Sequence, residues 1–153
     1  MTDTTPTESN LSGLDRKDFQ KNINSRKTDL YILKNAQGME VAVTNYGCAI
    51  LSIMVPDKNG KFANVILGHD SIEHVINSPE PFLSTTIGRY GNRIANGKFT
   101  LYGEEHQLTV NNGPNSLHGG PTGFHARVWD AVQPNESTVI FNYTSADGEE
   151  GFP

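Results

Sequence analysis

Two short runs hold the residues best suited to chemistry in this chain. The first is Gly88-Arg89-Tyr90-Gly91-Asn92-Arg93-Ile94 and the second is Asn115-Ser116-Leu117-His118-Gly119-Gly120. Arg93 carries a planar fork of donors able to hold two neighbouring oxygens, and Asn92 beside it both donates and accepts. Polyols present oxygens in that arrangement. His118 belongs to the side-chain type that gives or takes a proton near neutrality, so it can bind or catalyse. The glycines alongside lack Cβ atoms, which lets backbone bend tightly or approach a ligand closely. Local chemistry leaves a second reading open, with Arg89 and Arg93 in surface ion pairs and His118 satisfying a turn.

Other chemistries fit less well. His106, His118 and His125 are spaced by twelve and then seven residues, which matches no compact zinc pattern, and Cys48 is the one cysteine. Asp147-Gly148-Glu149-Glu150-Gly151 lacks the ligand order of an EF-hand loop and reads as a solvated turn. The glycine runs lack the endings of a phosphate loop or a dinucleotide fingerprint, and no Gly-x-Ser-x-Gly elbow occurs. Cys48, within an apolar segment, reads as a small core residue.

The elements that must position these groups read as strands. Leu30 to Lys34, the turn Asn35-Ala36-Gln37-Gly38 and the alternating Met39, Val41 and Val43 predict a β-hairpin. Ala49 to Val55 and Asn64 to Leu67 predict further strands, separated by Pro56-Asp57-Lys58-Asn59-Gly60. Asp70 to Asn77 predicts a short helix with Asp70 or Ser71 as N-cap and Pro79 beyond its end. Lys98 to Tyr102, His106 to Val110, Ala126 to Gln133 and Thr138 to Thr144 complete the strand-length segments. The fold class expected is all-β, an antiparallel β-sandwich. Residues 1–28 are polar, with Leu11, Leu14, Phe19 and Ile23 too widely spaced to secure a buried element, and read as a mobile N-terminal arm. Residues 29–153 read as one β domain.

Composition bounds the partners. Twelve basic residues against 17 acidic ones give a formal charge of −5 without a dense Lys/Arg cluster, which argues against nucleic acid. No run approaches the roughly 20 apolar residues of a membrane helix. The N-terminus lacks the basic and apolar regions of an export signal, and a single cysteine forms no internal disulfide, so a cytoplasmic location is expected. Matches to the N-glycosylation pattern at Asn10, Asn135 and Asn142 then carry no weight.

Taken in order, Thr44-Asn45-Tyr46-Gly47, Val55-Pro56-Asp57, the two runs above and Asp147-Gly148-Glu149-Glu150-Gly151-Phe152-Pro153 resemble the aldose 1-epimerase (galactose mutarotase) family. The match spans about residues 17 to 153, including the 25 positions from Arg93 to His118 and Trp129 shortly after. The resemblance implies a large antiparallel β-sandwich, here truncated, that interconverts the α and β anomers of aldoses such as galactose and glucose. It implies neither metal nor organic cofactor, and a small-molecule sugar as the partner. Asn92 and Arg93 match positions that hold sugar hydroxyls. His118 matches a histidine near the ring oxygen that supports catalysis. The family's principal histidine acid, a substrate-binding aspartate and the glutamate base all follow the Gly-Phe-Pro run, so the chain is expected to be an N-terminal fragment, inactive in isolation. A non-catalytic carbohydrate-binding module is the alternative, since Asn92, Arg93 and His118 can hold sugar without an acid–base pair. Sugar preference and oligomeric state are not legible.

Overall fold

Turn chemistry sets the spacing of the strands. In the computed structural model, which describes residues 10–153, the first pairing is a hairpin of β1 (Asn22–Ile23) and β2 (Arg26–Lys27). Its two linking residues, Asn24 and Ser25, both have positive φ, the backbone of a turn that matches strand twist. Next come β3 (Leu30–Lys34) and β4 (Glu40–Thr44), antiparallel and in register from Leu30↔Thr44 to Lys34↔Glu40. Asn35 closes that hairpin by accepting the amides of Gln37 and Met39 on its side chain. β5 (Ile50–Pro56) pairs with β4 across an irregularity at Ala42/Val43, and β6 (Phe62–Asn64) pairs with β5. These four form one antiparallel sheet in the order β3-β4-β5-β6. The predicted hairpin and the β5 strand are present. The strand expected over residues 64–67 instead ends at Asn64, whose side-chain oxygen accepts the amides of Ile53 and Ile66 and turns the chain away.

The one α-helix among the described residues, α1 (Ile72–Ile76), is capped by Ser71, whose hydroxyl accepts the His74 amide at 3.3 Å. Asp70, the other candidate cap, contacts the His74 ring instead. Ile72 and Val75 of α1 join Leu30, Ala42, Ala49 and Leu51 in the core.

Phe19 completes that core, fully buried at 0% exposure on a 3₁₀ turn, Arg16–Phe19, capped by Asp15. The expectation that residues up to 28 are too sparsely apolar to secure a buried element is therefore corrected over residues 10–28. Residues 1–9 of that arm lie outside the described residues. Leu14 and Ile23 pack partly buried against the same core, and polar anchors assist them. Glu40, wholly buried, accepts the amides of Leu11 and Ser12, and the Thr28 hydroxyl donates to the Phe19 carbonyl at 2.7 Å.

Beyond α1 the chain forms two-stranded ribbons. β7 (Arg93–Ile94) precedes the hairpin of β8 (Lys98–Leu101) and β9 (Glu104–Gln107), then β10 (Ser116–Leu117), and finally the hairpin of β11 (Asp130–Asn135) and β12 (Thr138–Asn142). Relative to the sequence expectation, β9 and β11 are displaced toward different residues. Tyr102-Gly103 supplies a positive-φ turn that starts β9 early, and a 3₁₀ turn at Phe124–Ala126 delays β11. The β11–β12 ribbon covers the β3 edge. Lys34 donates its amide to Glu136, Gln133 donates to the Ile32 carbonyl, and Tyr31 meets Phe141 edge-on at 5.8 Å. Edges left open attract other chains, and this one is closed from within.

Candidate functional site

The two runs singled out in the sequence pair with one another. β7 and β10 are antiparallel, with Ile94 opposite Ser116 and Arg93 opposite Leu117. One step beyond the ladder, the His118 amide donates to the Asn92 carbonyl at 3.0 Å, and the Asn92 amide donates to His118 Nδ1 at 3.0 Å. An Nδ1 that accepts a backbone N–H carries no proton, so the neutral ring holds its proton on Nε2. Both residues have positive φ, an uncommon backbone for residues other than glycine.

Asparagines stiffen this ribbon. Asn111 accepts the Leu117 amide at 2.7 Å and donates to its carbonyl, filling the place of a third strand. Asn112 accepts from Arg93 Nε at 2.9 Å, and Arg93 also donates to Asn92 Oδ1. Arg93 and Asn92 are exposed and His118 is half-buried.

Glycine has a different task here from the one read in the sequence. A Cβ on Gly119 would lie 1.8 Å from the Gly88 carbonyl oxygen, and one on Gly88 would lie 2.2 Å from the Phe124 ring. The missing side chains let the two runs pack on each other. Arg89 also turns inward: its guanidinium holds the Ser145 hydroxyl and the carbonyls of Ser145 and Ala146, and it sits 5.8 Å from the Phe152 ring centroid. Arg93 pairs with no carboxylate side chain among the described residues.

The acidic run near residue 150 braces the site from behind. Glu150 binds the amide and hydroxyl of Thr122, and its carboxylate occupies the space beside Gly120. Glu149 accepts from Tyr143 and Ser145 and pairs with Arg127 at 2.8 Å. Burial pushes the Glu149 carboxyl up, but the hydrogen bonds from Ser145 and Tyr143 and the charges of Arg127 and Arg89 outweigh it and hold it below the usual range. The run is a tied brace rather than the solvated turn expected.

The three histidines are not gathered for a metal. His106 stacks on Phe99 at 5.1 Å, whereas His118 and His125 flank Phe82 at 4.8 and 4.6 Å. His125 is buried at 4% exposure, and desolvation, followed by the charge of His118, pushes its pKa down. Asn45 of the Thr44-Asn45-Tyr46-Gly47 run is buried and satisfied, accepting from Asp29 and donating to the carbonyls of Lys27 and Trp129. That run is a structural tie. Phe82, Asn111, Asn112 and Glu150 were not legible as supports of His118 and Arg93. The paired asparagines at 111 and 112 carried the one usable signal, a side chain able to imitate backbone.

The described residues form antiparallel sheets of short strands, with Asn92, Arg93 and His118 next to one another at the β7–β10 ribbon. The aldose 1-epimerase family model matches residues 29–153, and the chain belongs to that family. It is 42% identical over 115 residues to galactose mutarotase of Bos taurus, covering 75% of this chain and 33% of the relative. It is 41% identical over 124 residues to aldose 1-epimerase of Escherichia coli, covering 81% of this chain and 36% of the relative. Its structure superposes on an aldose epimerase homologue from C. elegans with a TM-score of 0.76 at 31% identity, over 81% of this chain and 38% of that one. A galactose 1-epimerase from Lactobacillus acidophilus gives 0.74 at 30% identity, over 87% and 39%. The sandwich-type fold expected from the sequence is the fold of these relatives. The chain spans about a third of the length of the curated relatives it matches. Among the described residues no helix is long and apolar enough to cross a membrane.

Proposed function

We propose that this chain supplies the sugar-holding wall of an aldose 1-epimerase site, acting in the cytoplasm on aldohexoses such as galactose and glucose without metal or organic cofactor. The observation that carries the proposal is the β7–β10 pairing, which brings Asn92, Arg93 and His118 next to one another at one end of the ribbon. In this reading Arg93 holds vicinal hydroxyls through the guanidinium N–H groups that Asn112 and Asn92 leave free. Asn92 orients a neighbouring hydroxyl. His118 donates from Nε2 toward the ring oxygen, where negative charge builds as the ring opens.

Anomerisation needs a base that removes the C1 hydroxyl proton and an acid that protonates the ring oxygen as the C1–O bond breaks. The open aldehyde then rotates about C1–C2 and recloses with either configuration. By resemblance to the family, the principal acid and base belong to segments that this chain does not contain, so His118 has a supporting role and the chain alone is expected to bind without turning over. Polarimetry of freshly dissolved α-galactose tests this. The expected result is a rate indistinguishable from buffer for the 153-residue chain. In the full-length protein, Arg93→Ala is expected to lower kcat/KM about a hundredfold, the effect of losing hydrogen bonds to a charged group. Rapid anomerisation by the chain alone, lost on His118→Ala, would overturn the supporting role. Sugar binding without turnover in the full-length protein would favour a binding module instead.

A further inference from the structure

We infer that Phe82 is a positioning residue for His118, setting the imidazole plane so that Nε2 is its one free nitrogen. The inference rests on the functional reading above only for what His118 does once it is positioned.

His118 is gripped at three points, and two are backbone. Its amide and its Nδ1 are both bound to Asn92, and the third contact is the Phe82 ring, 4.8 Å away and tilted by 58°. A side chain held by one hydrogen bond can still swing about its χ angles, and a second ring in tilted contact with it restricts that freedom. Phe82 is itself well supported. Its loop is fastened to the main sheet, where the Ile50 amide donates to the Ser84 carbonyl at 2.9 Å and the Thr86 amide donates to the Gly47 carbonyl at 2.8 Å. On its other side Phe82 meets His125 at 4.6 Å and 61°.

His125 backs Phe82 from a buried position. Its backbone carbonyl lies where a Cβ on Gly47 would be, 2.2 Å away, and its ring is buried with Nδ1 lacking a partner among the described residues. An unpartnered ring nitrogen in an apolar setting disfavours charge. The stack His118–Phe82–His125 therefore links the candidate site to the sheet through one phenyl ring. Phe82 is half-buried and lies outside the core cluster, so its loss alters the stack more than the fold.

Nitrogen-15 NMR of the 153-residue chain at pH 8 reads this directly, because protonated and bare ring nitrogens resonate far apart. In the unsubstituted chain His118 is expected to show a bare Nδ1 and a protonated Nε2, with nuclear Overhauser contacts from the Phe82 ring to both imidazoles. Phe82→Leu is expected to average the two His118 nitrogen signals toward each other, and Phe82→Tyr to restore the separation. A folded Phe82→Leu chain whose His118 nitrogens stay fully separated would overturn the inference. So would missing contacts between Phe82 and either histidine in the unsubstituted chain, a measurement that needs no variant to fold. Galactose titration is a separate arm: absent shifts at Asn92, Arg93 and His118 would refute the sugar-holding wall and leave the tautomer result standing.

Discussion

At the scale of single residues, the site depends on which atoms are already engaged. His118 spends Nδ1 on the Asn92 amide and keeps Nε2, and Arg93 spends Nε on Asn112 and one terminal nitrogen on Asn92 Oδ1. Arg89, of identical type and four positions away, spends its fork on carbonyls of the segment around residue 145. Cys48 shows the same logic for a nucleophile. It is half-buried rather than a full core residue, and burial pushes its thiol up to about 12, with a hydrogen bond to Thr86 pulling weakly the other way. The thiolate is the reactive form, so alkylation by iodoacetamide at neutral pH is expected to be at least about tenfold slower than for an ordinary cysteine. Because the folded value is raised, the stabilisation from the neutral thiol is full below the unfolded value near 9 and is lost as pH rises toward 12. Mass spectrometry of timed alkylation at several pH values measures this, and a normal rate at pH 7.5 would contradict it.

At the scale of elements, β7 and β10 are only two residues long each, and packing keeps them together. Gly119 lies on the Gly88 carbonyl, and the Phe124 amide donates to that same oxygen at 3.2 Å. Gly119→Ala puts a methyl group into this contact at a φ of +85°, so stability is expected to fall by about 2 kcal/mol or more, read as an earlier urea midpoint. The same change should perturb the His118 and Asn92 amide signals together. A variant as stable as the parent would show that the two runs are not in backbone contact.

At the scale of the whole molecule, polar and apolar surfaces are unevenly distributed. The β3 edge is covered, yet Val132 and Ile140, opposite each other across β11–β12, are 57% and 47% exposed, and Leu67 after β6 is 76% exposed. Adjacent exposed apolar side chains favour association. Size-exclusion chromatography with light scattering is expected to show concentration-dependent association of the chain, reduced by combining Val132→Lys with Ile140→Glu. A strictly monomeric chain at all concentrations would refute this.

The amino-acid sequence indicated the class of the fold, the hairpin that starts at Leu30, a short helix capped by Asp70 or Ser71, and Asn92, Arg93 and His118 as the groups to watch. These follow from local causes: side-chain alternation, turn residues with defined backbone preferences, and ordered runs spaced as in a known family. The burial of Phe19 was not legible, because a lone aromatic among polar residues gives no periodicity, and the core it joins is assembled from β3, β4, β5 and α1. The pairing of Asn92 with His118, the different fates of Arg89 and Arg93, and the Phe82 stack were likewise decided by tertiary structure. Each depends on contacts between segments remote in sequence, where a missing Cβ or a single free nitrogen determines which groups meet.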